Sequence, residues 1–187
     1  MKYCISALLI ALFVNGYSQK PTYELFSDVW EYEYKDGVQK MKPINSENFK
    51  MPTKELISKI DTTVINGLLL KSFNQFRSDY GKGEVNEDPK MTNQCKSYAK
   101  RLHKKYEHDK NVADGHYEDI ASISFVLLGN IDPNKQDINL IISQCVFDIF
   151  TSSEGHMRVL LSDEYKFFGF GVSQGKSGFK ICIRGRK

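Results

Sequence analysis

The sequence predicts a mixed α+β domain in which helices and a terminal β-hairpin pack in layers, behind a shorter β-hairpin extension. Three observations carry this expectation: apolar residues recur at helical spacing in three separate stretches, two β-prone segments flanking a glycine-bearing turn close the chain, and the composition is ordinary for a globular protein. Of 187 residues, 41% are hydrophobic and 26% charged, which excludes a disordered or collagen-like chain. The 26 Lys and Arg against 23 Asp and Glu give a net charge of +3 without a dominant basic stripe, so nucleic acid is not an expected partner.

At the N-terminus, Lys2 precedes an apolar run from Ile5 to Val14, followed by Asn15-Gly16-Tyr17-Ser18. This pattern predicts a secretory signal peptide over residues 1–18, cleaved after Ser18. A run near ten residues is about half of what a bilayer requires, so the mature chain is expected to be extracytoplasmic, secreted or periplasmic, and not transmembrane. Residues 19–60 form an extension. Within it, Asp28 to Tyr34 alternates apolar and charged residues before the turn-forming Lys35-Asp36-Gly37 and Val38 to Met41, which predicts a β-hairpin with Trp30, Tyr32 and Tyr34 on one face.

The domain proper is expected over residues 61–187. Val64, Leu68, Leu69, Phe73 and Phe76 share a helical face that Asp61 or Thr62 would cap, and Tyr80-Gly81 would end it. Asp88-Pro89 opens a second helix running to about Tyr106. Gly115 to Ala121 reads as a loop leading into the apolar stretch Ile123–Leu128, whose strand or helix character stays open. A third helix is expected over about Gln136–Thr151. The closing hairpin pairs Tyr165–Ser173 with Phe179–Arg184. Removing Cys4 with the leader leaves Cys95, Cys145 and Cys182, an odd number with no metal-knuckle spacing. Buried thiols are the expectation, with one disulfide left open as the alternative.

The densest polar cluster is Thr151 to Leu161. Ser153 ahead of an apolar run reads as an N-cap, placing His156 in the first turn of a short helix, where the helix dipole favours a neutral imidazole. His108, His116, Glu118 and Asp119 lie upstream; two imidazoles with a carboxylate suit zinc or acid–base work. His103 reads as a residue of a solvated helix face. Ser152 or Ser153 beside His156 lacks the glycine-bracketed elbow of a serine hydrolase.

Phe150-Thr-Ser-Ser153-Glu-Gly155-His156, Leu160-Leu161 and Tyr165 to Val172 resemble the signature of the bacterial CAP superfamily, the cysteine-rich secretory, antigen 5 and pathogenesis-related proteins. Upstream, Asn74 and Arg77 resemble its Asn-x-x-Arg element, and Glu118-Asp119-Ile120-Ala121 its Gly-Glu-Asn-Ile-Ala loop. The resemblance spans about residues 64–184 and implies an α-β-α sandwich with a cavity of two His and up to two Glu, which in some members holds zinc or another divalent cation. Carried over, it assigns His156, Glu118 and His108 to the cavity, with His116 the rival of His108, and His108 and His156 as metal ligands. Ser153 stands where the second Glu would be. Phe150 replaces the Trp, Tyr117 the Gly before Glu118, Asp119 the Asn, and Val159 the Asn after the His. The implied functions are a secreted module binding a lipid, peptide or cell-envelope component, a metal-dependent hydrolase with Glu118 as base, or a structural protein with a degenerate cavity.

Overall fold

The computed structural model describes residues 51–129, 131–150 and 153–187 together with the backbone of residues 30–35 and 38–43. The expected signal segment, the turn at Asp36-Gly37, Ser152 and the side chains of the N-terminal hairpin lie outside the described residues. That hairpin pairs β1 (Trp30–Lys35) with β2 (Val38–Pro43) in antiparallel register, Trp30 opposite Pro43 and Lys35 opposite Val38.

A short helix that the sequence reading did not anticipate, α1 (Lys54–Ser58), starts where the Thr53 hydroxyl accepts from Leu56 N–H. The Asp61 carboxylate then accepts from Thr63 and Val64 N–H and opens α2 (Thr62–Asp79). Ile65, Leu69, Phe73 and Phe76 are its buried face, whereas Val64, expected there, is exposed. Gly81, at φ 68°, supplies the left-handed residue that ends the helix. After β3 (Asn86–Glu87), Asp88 caps α3 (Pro89–Arg101) with proline at its first turn. This helix stops short of the expected Tyr106. The chain turns at the buried Leu102, and His103, instead of continuing a helical face, sets its imidazole within hydrogen-bond distance of Ser173 O at 3.0 Å.

Residues 116–121, expected as a loop, are the first part of strand β4 (His116–Ser124), and Phe125–Leu128 form a 3₁₀ turn. The alternation signal failed because consecutive acidic residues, Glu118 and Asp119, are both sequestered, each on its own face of the strand. Helix α4 (Ile138–Asp148) falls within the expected stretch 136–151 and is capped by Asp137, which accepts from Asn139 N–H, while α5 (Glu154–Leu160) carries its expected cap, Ser153 accepting from His156 N–H. Strands β5 (Phe167–Gln174) and β6 (Gly178–Arg186) form the closing hairpin.

The sheet runs β3-β5-β6-β4, with β3 parallel to β5 and the other pairs antiparallel. Alternation then sorts the side chains. Phe168, Phe170, Val172, Phe179, Ile181 and Ile183 join the α2–α4 side in one large core, where the Phe73 ring lies 4.8 to 5.4 Å from those of Phe147, Phe168 and Phe170. Ile120 and Cys182 face the other way and pack with Met91, Cys95, Tyr98, Ala99 and Leu102 beneath α3. The result is the α-β-α sandwich. Close contact of α3 depends on the Gly-x-Gly of β5: a Cβ on Gly171 would lie 2.2 Å from the Cys95 carbonyl carbon, and one on Gly169 2.5 Å from Met91. All three cysteines described are buried, unbonded thiols. The Cys182 thiol is held well above its ordinary range, first by a hydrogen bond with Cys95 and then by burial.

Candidate functional site

Strand β4 lies at the sheet edge and presents its two acidic residues to opposite faces. On the α3 side, Glu118 stands directly across from Arg184 in β6. The guanidinium donates from Nε and Nη2 to Glu118 Oε2 at 2.9 and 2.6 Å, and Nη2 also reaches Asp109 Oδ2 at 2.7 Å. The other carboxylate oxygen, Oε1, accepts from Asp109 N–H at 2.8 Å and lies 3.3 Å from His108 Nδ1. The Tyr98 ring closes the cluster, with Arg184 Cζ 5.2 Å from its centroid. The Glu118 side chain is only 3% exposed, whereas that of His108 is 61% exposed. Burial in this cluster disfavours the guanidinium charge, but hydrogen bonds and nearby negative charge, led by Glu118, outweigh it and keep Arg184 protonated. Backbone and Arg184 hydrogen bonds likewise outweigh burial at Asp109 and hold its carboxyl below the usual range.

On the opposite face, Asp119 Oδ1 lies 3.1 Å from His156 Nε2, and the imidazole packs edge-on against Phe150 at 5.2 Å. Asp119 is 1% exposed, and burial pushes its carboxyl up to about 8. His156 is shifted down, mainly by burial and then by the charge of His108. Both shifts favour a neutral pair sharing one proton. The neutral bias expected of His156 is therefore present, with burial as its main cause. Asp119 Oδ2 and Tyr117 Oη are buried without a hydrogen-bond partner among the described residues.

The α5 helix that carries His156 is fixed by Arg77. Its guanidinium is buried and donates to the carbonyls of Leu160 and Ser162 at the end of α5 and to Gly83 O. Desolvation pulls its pKa down, partly countered by Asp163. Asn74 bonds Val85 through both ends of its amide, so the Asn-x-x-Arg element acts as a clasp between α2, the segment before β3 and the histidine helix. Tyr117, in the place of the family glycine, has ordinary strand pairing opposite Gly185; the positive φ falls on Gly115 at 75°.

The candidate residues thus separate. His108 and Glu118 meet on one face, His156 with its cap Ser153 on the other, and His116 lines a third position, a pocket beside Asp88 and Arg186. Arg184, Asp109 and Asp119 were not singled out as a charge network by the sequence reading. Arg184 shares its phase of β6 with Lys180 and Arg186, so the local pattern carried no signal of its burial on the α3 face. The cation implied by the resemblance finds a poor fit: Glu118 is already saturated by hydrogen bonds, His156 is turned to Asp119, and no group of three or more His, Cys, Asp or Glu among the described residues could hold a metal ion.

No curated protein matches the sequence. Among solved structures, Na-ASP-1 superposes with a TM-score of 0.51 at 12% identity, over 82% of this chain and 45% of that one. An extracellular SCP-domain protein from Bacillus anthracis gives 0.47 at 15% identity, over 80% and 46%, and NaASP2 solved with Zn2+ gives 0.44 at 15%, over 72% and 80%. The chain therefore spans less than half the length of the first two. No helix among the described residues is long and apolar enough to cross a membrane. The sequence pattern of the cysteine-rich secretory protein family matches residues 70–183, which include the Arg77 clasp, β4, the His156 helix and the Gly-x-Gly strand. The chain belongs to this family, the CAP proteins.

Proposed function

We propose that this protein is an exported binding module that takes an extended polar ligand, of peptide or cell-envelope glycan chemistry, along helix α3. The observation that carries the reading is a groove of about 820 Å³ lined by Lys90, Gln94, Ser97, Tyr98, Arg101 and Asn111, adjoining a second of about 350 Å³ that His116 lines. The larger groove falls in the size range of ligand sites, and its amide, hydroxyl and cationic lining suits hydrogen-bonded polymers better than a lipid tail. The Glu118–Arg184 cluster forms part of its floor through Arg184 and Asp109. Export rests on the signal pattern over residues 1–18. The hydrolase reading loses support, because Glu118, engaged on both oxygens, is not free to act as a base.

Soluble muropeptides, which carry both glycan and peptide, test the reading against phosphatidylcholine vesicles. Muropeptides should perturb the amide signals of α3 around Gln94 and Ser97, and Gln94→Arg should weaken that response. Vesicle binding without any muropeptide response at α3 would contradict it.

A further inference from the structure

We propose that Arg184 is the built-in cation of the His108–Glu118 centre, occupying with its guanidinium the role that a divalent ion would otherwise fill, so that this centre is a metal-independent ionic lock. The inference goes beyond the binding reading and does not depend on what the groove accepts. It stands on contacts that are present. A guanidinium is a planar fork suited to carboxylates, and here two of its nitrogens engage Glu118 Oε2 at 2.9 and 2.6 Å while the second of them also reaches Asp109 at 2.7 Å. Glu118 Oε1 is taken by Asp109 N–H, with His108 Nδ1 3.3 Å away, so each carboxylate oxygen is occupied. Cys182 Sγ lies 3.9 Å from Glu118 Oε2, and Tyr98 holds the guanidinium from the side of α3.

The side chains of Glu118 and Arg184 are 3% and 8% exposed, so the carboxylate needs a positive partner at close range, and Arg184 supplies it permanently. Because Asp109 comes from the segment between α3 and β4, the same guanidinium ties that segment to the central strand β6. A metal ion at Glu118 would have to displace a charge that cannot be lost by deprotonation. Removing Arg184 alone would leave Glu118, Asp109, His108 and Cys182 facing one another, a set with ligand chemistry for zinc.

Zinc retention by the full chain after equilibrium dialysis tests this. The wild type and Glu118→Gln should retain the same amount, because Glu118 contributes no ligand while Arg184 is present. Arg184→Met should gain about one equivalent, and adding Glu118→Gln in that background should remove the gain. Circular dichroism establishes whether Arg184→Met is folded; where it is not, the wild-type comparison with Glu118→Gln decides by itself, since both retain the arginine. Wild-type zinc that disappears on Glu118→Gln overturns the proposal, and so does a folded Arg184→Met that takes up none.

Discussion

On the α3 face of the sheet, Glu118 meets an arginine, a backbone N–H and a histidine, and both of its oxygens are bonded. One residue further along the same strand, on the other face, Asp119 meets a single half-exposed histidine and keeps one oxygen unpartnered among the described residues. Neighbouring carboxylates with similar burial therefore solve the desolvation problem in different ways. Glu118 has an ionic partner that cannot neutralise, and both of its oxygens are hydrogen-bonded. Asp119 faces a partner that burial itself drives toward neutrality, and it takes up a proton instead. A two-residue acidic step in a β-strand is enough to place a closed ionic lock and a proton-sharing pair back to back.

Substitutions separate the two faces by size and by pH dependence. Glu118→Ala should cost about 3 kcal/mol in denaturant unfolding, because it breaks the buried ion pair and leaves the Arg184 guanidinium with Asp109 as its remaining carboxylate. A loss near zero would mean that the lock carries no structural load. Arg77→Met should cost about 3 kcal/mol by leaving the carbonyls of Gly83, Leu160 and Ser162 without their donor. It should also disturb the imidazole signals of His156 before those of His108; equal disturbance would remove the clasp as the cause.

Asp119→Asn should act through pH. The native carboxyl binds its proton up to about pH 8, whereas an unfolded aspartate releases it near 3.9. The native state therefore holds more protons between these values, and the contribution of Asp119 to stability is full below about pH 4 and is lost as pH rises toward 8. Relative to Asp119→Asn, the wild type should lose up to about 1.4 kcal/mol per pH unit across that window. Parallel urea midpoints from pH 4 to 8 would contradict the neutral state of Asp119. Ser153→Ala should be the mildest, at most about 1 kcal/mol, since its cap bond to His156 N–H is long at 3.4 Å; a thermal midpoint equal to the wild type would show that water replaces the cap.

Helix starts were legible in the sequence because single side chains announce them: Asp61, Asp88, Asp137 and Ser153 each accept backbone N–H groups where a cap is expected or one residue inside the expected helix bound. The layered fold followed from the apolar periods of α2 and α4 and from the closing hairpin. Strand β4 was not legible, because its first half carries no apolar alternation, and its two acidic residues each pair with a charged or imidazole side chain far away in the chain. Glu118 is 66 residues from Arg184, and Asp119 is 37 from His156. The histidines and Glu118 could be named from motif resemblance, but their division between two faces depends on strand register, which local spacing does not encode. Val64 shows the same limit on a smaller scale: the helix period was right, while the phase that buries Ile65 instead was set by packing against the sheet.

The central claim is that the two histidine–carboxylate pairs are separate, one on each face of the sheet. Carbon–proton correlation spectra of the imidazole rings test it most directly, with Asp119→Asn and Glu118→Gln measured against the wild type at one pH. Asp119→Asn should shift the ring signals of His156 and leave those of His108 in place, and Glu118→Gln should do chiefly the reverse. Large, matching shifts of both rings from either single substitution would show one shared centre and contradict the account.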